Sequence, residues 1–193
     1  MNTNIHAISI QTAPCSVWQG GKTYELAIGP EGSSYAGRDF LFRISTAMVD
    51  LDHSTFTSLP DYMRIIMPID GALTLVHNDG PEVHLPPLSA HSFDGGWRTE
   101  SHGRAQDFNL MMRKGQCRGD MEALQLQKGV PLEIPAQKSS CRLFYCVDGS
   151  CSIIFGSESH PVQPGEGLCT GGEACILCAD RPATVICSCA EPV

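Results

Sequence analysis

The sequence contains few basic side chains. Of its 193 residues, 13 are Lys or Arg and 21 are Asp or Glu, which gives a formal net charge of −8. A nucleic-acid backbone binds through a basic surface, so this balance argues against a nucleic-acid partner. A long apolar run is also missing, and the first four residues lack the basic start of a signal peptide. We therefore expect a cytoplasmic protein with no nucleic-acid and no membrane partner.

Helix signals are scarce as well. No window of about 12 residues carries the apolar stripe of an amphipathic helix. Short alternating runs are frequent instead, and the 19 glycines and 13 prolines fit many strands joined by tight turns. We predict an all-β fold with strands at residues 5–10, 23–28, 40–49, 62–69, 73–77, 107–112, 142–147, 152–155, 174–178 and 183–189.

The two halves of the sequence share one pattern. Residues 66–75 read as a strand, an Asp-Gly turn and a second strand, and residues 144–153 repeat that order. A proline-containing loop and a further strand follow each copy. This arrangement resembles the cupin jelly roll, and two copies make a bicupin. We predict one cupin-like unit in residues 1–115 and a smaller one in residues 116–193, joined near residues 116–129.

The metal motif that cupin enzymes usually carry is absent. Two imidazoles at positions i and i+2 lie on one face of a strand and can share an ion, but the sequence has no His-x-His. His77, His84 and His91 recur every seven residues, and the turns and prolines between them predict that they share no strand face. A Ser/His/Asp order, a phosphate loop and a dinucleotide glycine pattern are missing too. We expect no metal and no cofactor.

Cysteine is unusually frequent, with ten residues, nine of them from Cys117 onward. Cys175 and Cys178 have the CxxC spacing, but no second pair stands at the distance of a zinc finger. We interpret the cysteines as small buried hydrophobic residues in a reducing compartment.

Polar residues on three predicted strands carry the functional signal. Asp107, Asn109 and Met111 alternate along one strand and share a face, which is an unusual composition for a solvated surface. Arg43 and Arg64 each lie in the middle of an apolar strand, where a charge is costly unless it is paired or hydrated. A guanidinium in a barrel interior is suited to bidentate capture of a carboxylate.

Three interpretations of these arginines remain open. Arg43 or Arg64 neutralises Asp107 in a buried ion pair, at least one of them lines a ligand cavity, or both are exposed. For Trp18, Phe56 and Phe93 a core position is favoured over a position in a cavity wall.

The motifs together resemble the HutD/Ves family. The similarity runs through Trp18 and residues 19–23, residues 40–47, 56–64 and 93–95, and finally residues 107–115. It covers roughly residues 15–115, and beyond that it concerns architecture only. The resemblance implies a bicupin without the usual metal motif that binds a small metabolite in the first barrel. It also implies an association with the regulation of histidine utilisation and no established reaction.

We therefore predict a non-catalytic protein that binds a small anionic metabolite. The candidate ligand-binding residues are Arg43, Arg64, Asp107, Asn109, Met111, Thr23, Trp18 and Phe93. The alternative is a metal-independent or unusual-metal cupin enzyme of the isomerase or lyase type, with Asp107 as general base. An interaction module that docks a partner or forms a homodimer through a sheet edge is a third interpretation.

Overall fold

The computed structural model describes residues 5–139 and 141–193. Every regular element in these ranges is a β-strand, which confirms the predicted all-β class. Each of the ten predicted strands overlaps an observed one. None of the described residues belongs to a helix long and apolar enough to cross a membrane.

The first unit comprises residues Pro14–Arg118, together with Val193. It contains ten strands: β2 (Cys15–Trp18), β3 (Gly21–Gly29), β4 (Phe42–Val49), β5 (His53–Thr55), β6 (Tyr62–Gly71), β7 (Leu73–His77), β8 (Glu82–Leu85), β9 (His91–Asp94), β10 (Thr99–His102) and β11 (Ala105–Arg113). They form a six-stranded sheet of order β2-β3-β4-β11-β6-β9 and a four-stranded sheet of order β5-β10-β7-β8. All pairings in both sheets are antiparallel.

The second unit comprises Gly119–Pro192 and the described residues up to Ala13. Its strands are β1 (His6–Ser9), β12 (Cys117–Leu126), β13 (Leu132–Ile134), β14 (Cys141–Asp148), β15 (Cys151–Phe155), β16 (Glu158–Val162), β17 (Glu166–Thr170), β18 (Cys175–Cys178) and β19 (Ala183–Pro192). They form sheets of order β1-β17-β14-β19-β12 and β13-β18-β15-β16.

The division between the units differs from the predicted one at the amino-terminal end. We placed residues 1–115 in one unit, but β1 pairs with β17, and Ile5 packs against the core of the second unit. The pairing gives the exposed edge of β17 a partner, which no local pattern reveals. The boundary at Arg118 falls within the predicted join, but that segment is mostly strand β12.

Equivalent glycines make the two Asp-Gly turns. Gly71 and Gly149 both have a φ of 76°, a conformation that glycine adopts without strain. A Cβ atom would lie 2.5 Å from the carbonyl oxygen of Arg104 at Gly71 and 2.5 Å from that of Pro182 at Gly149. The repeated sequence pattern therefore reflects the same steric requirement in both units.

The cysteines lie mostly in the core of the second unit. Five of the free cysteines there are buried: Cys146, Cys151, Cys175, Cys187 and Cys189. Cys141 and Cys169, on β14 and β17, are joined by a disulfide with Cα atoms 6.1 Å apart. This pair departs from the expectation that the cysteines are free buried thiols, and Cys15 is exposed.

Candidate functional site

The central strand β11 brings the candidate residues together. Met111 lies opposite Arg43 on β4 and opposite Arg64 on β6. Asn109 lies opposite Ser45 on β4. Residues directly opposite each other on neighbouring strands share a face of the sheet, and so do residues two apart along one strand. These side chains therefore all lie on the same side of the sheet.

This face lines a cavity of about 300 Å³ inside the first unit. One side of the cavity consists of residues from strands β2, β3, β4, β6 and β11. Another side consists of residues 54–57, of which the first two belong to β5. Seven of the eight predicted site residues line the cavity: Trp18, Thr23, Arg43, Arg64, Asp107, Asn109 and Met111. The structure thus places these side chains together, and their part in ligand binding stays a prediction.

Phe93 is the exception among the predicted residues. It is absent from the cavity lining and buried in the core of the first unit. Because Phe93 lies opposite Arg64 in the β6–β9 pairing, its ring packs beside the guanidinium, with 5.2 Å between the Arg64 Cζ and the ring centroid. Phe56, for which we favoured a core position, lines the cavity and holds Arg64 from a second direction at 4.7 Å.

Arg64 is a buried cation in the cavity wall. Its side chain is 6% exposed, and its Nε atom has no hydrogen-bond partner. Burial lowers the pKa of Arg64 to about 10, and the nearby Asp107 opposes this effect. The group stays charged at neutral pH, so an unpartnered donor and a full positive charge are both present at the cavity wall.

Arg43 has a protein partner, but not the expected one. Its Nε donates to Glu25 Oε2 at 2.7 Å and its NH1 group donates to Ser45 Oγ at 3.1 Å. The guanidinium also lies over the ring of Tyr35, 4.5 Å from its centroid. Sequence reasoning missed Glu25 and Tyr35, although a carboxylate in the middle of strand β3 was the same kind of signal that marked the arginines.

The predicted ion pair with Asp107 does not form in the described chain. Both arginines are buried, so the exposed interpretation is wrong as well. Asp107 is 4% exposed and its Oδ1 atom has no hydrogen-bond partner, and the Oδ1 atom of Asn109 lacks one too. Of the alternatives, the cavity position of the arginines is the one that the geometry supports.

Burial dominates the ionisation of Asp107. It raises the pKa of this carboxyl to about 7, against the opposing effects of the Arg64 charge and of the neighbouring Asn109 side chain. A carboxyl with this pKa changes its charge near neutral pH. The cavity therefore has a net positive charge when Asp107 is protonated and a near-balanced charge when it is ionised.

The cavity does not fit the imidazole-based metal site that cupin enzymes usually carry. None of its described lining residues is His or Cys, and Asp107 is the one carboxylate among them. A single buried carboxylate next to a guanidinium is a poor ligand set for a transition metal.

His77 and His91 lie together elsewhere in the first unit, which the sequence pattern did not predict. Their Nε2 atoms are 3.0 Å apart, and His77 Nδ1 lies 2.9 Å from Thr99 Oγ1. Burial lowers the pKa of both imidazoles, and His91 further lowers that of His77. Strands β7 and β9 belong to different sheets, so their approach depends on sheet packing and not on the seven-residue spacing.

The model of the HutD family matches residues 10–187 of the chain. The match extends well beyond residues 15–115, where the sequence motifs lie. No curated protein sequence matches the chain.

Solved structures of three proteins have a similar fold. A conserved protein of unknown function from Pseudomonas aeruginosa PAO1 aligns with a TM-score of 0.84 and 21% identity, over 98% of this chain and 100% of that one. HutD from Pseudomonas fluorescens SBW25 aligns with a TM-score of 0.77 and 18% identity, over 98% and 99%. The bacterial pirin YhhW from Escherichia coli, in complex with nickel(II), aligns with a TM-score of 0.70 and 11% identity, over 98% and 100%. These similarities confirm the bicupin fold.

Proposed function

The chain belongs to the HutD family, and on that premise we propose that it is a non-catalytic binder of a small anionic metabolite that acts in the regulation of histidine utilisation. One observation carries the proposal. Arg64 is buried at the wall of a cavity of about 300 Å³ with an unpartnered Nε donor. A buried cation with an unsatisfied donor is costly, and an anionic ligand would remove that cost.

The polar atoms around Arg64 define the chemistry of the ligand. A guanidinium binds a carboxylate in a bidentate manner, and Phe56 and Phe93 fix its plane. The unpartnered Oδ1 atoms of Asp107 and Asn109 are acceptors, so they favour a ligand that also carries an N–H or O–H donor. The volume lies at the lower end of the range for ligand cavities, which favours a small metabolite.

Thermal-shift measurements with urocanate, formylglutamate and related acids test the proposal. An acid that occupies the cavity at a concentration about 100 times its Kd should raise the Tm by roughly 5–10 °C. Arg64→Met retains the length and apolar stem of the side chain and removes the charge. We expect it to weaken binding by about 10- to 100-fold, the effect of losing a charge-assisted hydrogen bond.

The matched control is Arg104→Met. Arg104 also pairs with a carboxylate, Asp52, but its side chain is 65% exposed and lies outside the cavity lining. Binding should be unchanged in this variant. A shift that survives Arg64→Met, or the absence of a shift with every acid, contradicts the proposal.

A second candidate function rests on Asp107. A carboxyl with a pKa of about 7 and an unpartnered oxygen in a cavity meets the requirements for a general base. An isomerase or lyase of this kind would exchange a carbon-bound proton of the ligand with solvent. Proton NMR of a bound acid in D2O separates the candidates, because signal loss that depends on Asp107 supports the enzyme and a stable signal supports the binder.

A further inference from the structure

We propose that His53, Glu100 and His102 bind one divalent first-row transition-metal ion on the outer face of the four-stranded sheet of the first unit. This site is separate from the cavity, and its existence does not depend on the proposed ligand. The three ligand atoms lie within 4.8 Å of one another.

Strand pairing brings the three side chains together. His53 on β5 lies directly opposite His102 on β10, and their ring centroids are 4.8 Å apart. Glu100 lies two residues before His102 on β10, so both side chains are on the same face of the sheet. The distance from His53 Nε2 to Glu100 Oε2 is 3.5 Å. The site combines a carboxylate and a histidine two residues apart on β10 with a histidine on β5. Because β5 and β10 are distant in the sequence, the sequence alone does not predict this site.

The ligand set selects the class of ion. Two imidazoles and one carboxylate suit Zn²⁺, Ni²⁺ or Co²⁺, whereas Mg²⁺ and Ca²⁺ prefer sets made of oxygen. The side chains of His53 and Glu100 are 52% and 32% exposed, so an ion reaches them from solvent. Three protein ligands leave the remaining coordination positions to water.

Arg98 competes for the same carboxylate. It donates to Glu100 Oε1 at 3.2 Å and also pairs with Asp79. This contact leaves Glu100 Oε2 free to face His53, but it places a positive charge beside the ion. Removing that charge should strengthen metal binding, because like charges repel at this distance.

An ion at this site would act on the cavity wall. Strand β5 has only three residues, and Ser54 and Thr55 from it line the cavity. Its regular pairing in the sheet is to β10. The ion would fix β5 to β10 and thereby hold this part of the wall in place.

The test uses tag-free, chelator-treated full-length protein, with Ni²⁺ and Zn²⁺ measured by calorimetry and thermal shift. We expect one equivalent to bind and to raise the Tm, and Mg²⁺ to have no effect. His53→Ala and His102→Ala should each weaken binding by about tenfold or more, because losing a direct ligand costs at least as much as losing one of its outer-shell partners. The matched control is His84→Ala, because His84 lies on the same outer face, two strands away from His102, and bonds to Thr74. It should bind as the unchanged protein does.

Arg98→Gln provides a test that does not depend on losing a ligand. Tighter binding in this variant supports the participation of Glu100, and weaker binding contradicts it.

Titration with Co²⁺ adds a spectroscopic readout in the unchanged protein. The visible absorbance should saturate at one equivalent of Co²⁺ and disappear when Zn²⁺ is added. If a His→Ala variant melts early without metal, His102→Gln replaces it. The proposal fails if no ion binds, or if His84→Ala weakens binding as much as His102→Ala does.

Discussion

Asp107 makes the stability of the ligand-free protein depend on pH. Its folded-state pKa of about 7 exceeds the ordinary value of 3.8 because burial disfavours the charged form. Between these two values the folded state binds more protons at this residue than the unfolded state. The contribution of Asp107 to stability is therefore complete below about pH 4 and is lost as the pH rises through about 7.

We predict that Asp107→Asn removes this loss. The variant should be more stable than the unchanged protein at pH 8, by at most about 4 kcal/mol, and the two should converge towards pH 4. Urea unfolding at several pH values measures the difference. His77 and His91 have lowered pKa values and act with the opposite sign, but they are present in both proteins and cancel. An equal pH slope in the two proteins would contradict the burial argument.

At the scale of residues, the sequence identified most of the polar side chains that line the cavity, but not their partners. Arg43 and Arg64 stood out because a charge inside an apolar strand requires an explanation. That Arg43 pairs with Glu25 depends on the pairing of β3 with β4, which contains an irregularity between Glu25 and Ala27. Such a register shift is a long-range feature, and no local pattern predicts it.

At the scale of elements, many of the strands were predictable, but strands such as β10 and β12 were not, and neither was the strand order. The alternation from Asp107 to Met112 identified β11, but its position between β4 and β6 follows from packing across the whole unit. This position is what places Met111 between Arg43 and Arg64. The candidate residues could therefore be named, whereas the cavity that they line required the three-dimensional structure.

The Asp-Gly turn after β6 gives a prediction at this scale. Gly71→Ala should destabilise the protein by roughly 1–3 kcal/mol through backbone strain, and further through the clash of the new Cβ atom with the carbonyl oxygen of Arg104. Gly115→Ala is the control, because Gly115 has a similar φ of 70° but a Cβ atom added there would meet no other atom within 4 Å. Guanidinium unfolding compares the two. Equal losses would show that the close approach to Arg104 is unimportant.

At the scale of the whole molecule, the repeated Asp-Gly pattern predicted two units. The sequence did not predict that strand β1 belongs to the second unit. Strand β1 covers the edge of β17 through four residue pairs. Nothing in residues 6–9 distinguishes this partner from any other exposed strand edge. Sequence patterns of period two identify strands and faces, but they do not specify partners that are distant in the chain.

Deletion of the first ten residues tests this arrangement. We expect the variant to lose stability and to aggregate more readily, because the edge of β17 becomes available for pairing. Hydrogen exchange should accelerate in β17 and β14 while β4 and β6 keep their protection. Ligand binding by the first unit should remain. Accelerated exchange in β4 instead would show that β1 supports the first unit.

The pairing of β1 with β17 also has a consequence for biosynthesis. Strand β1 leaves the ribosome well before its partner strand β17 (residues 166–170), because the two are far apart in the sequence. At roughly 5–20 residues per second, β1 waits on the order of ten seconds for its partner. Residues 14–118 of the first unit are synthesised during that interval. The first strand of the described residues is thus among the last to reach its place in a sheet.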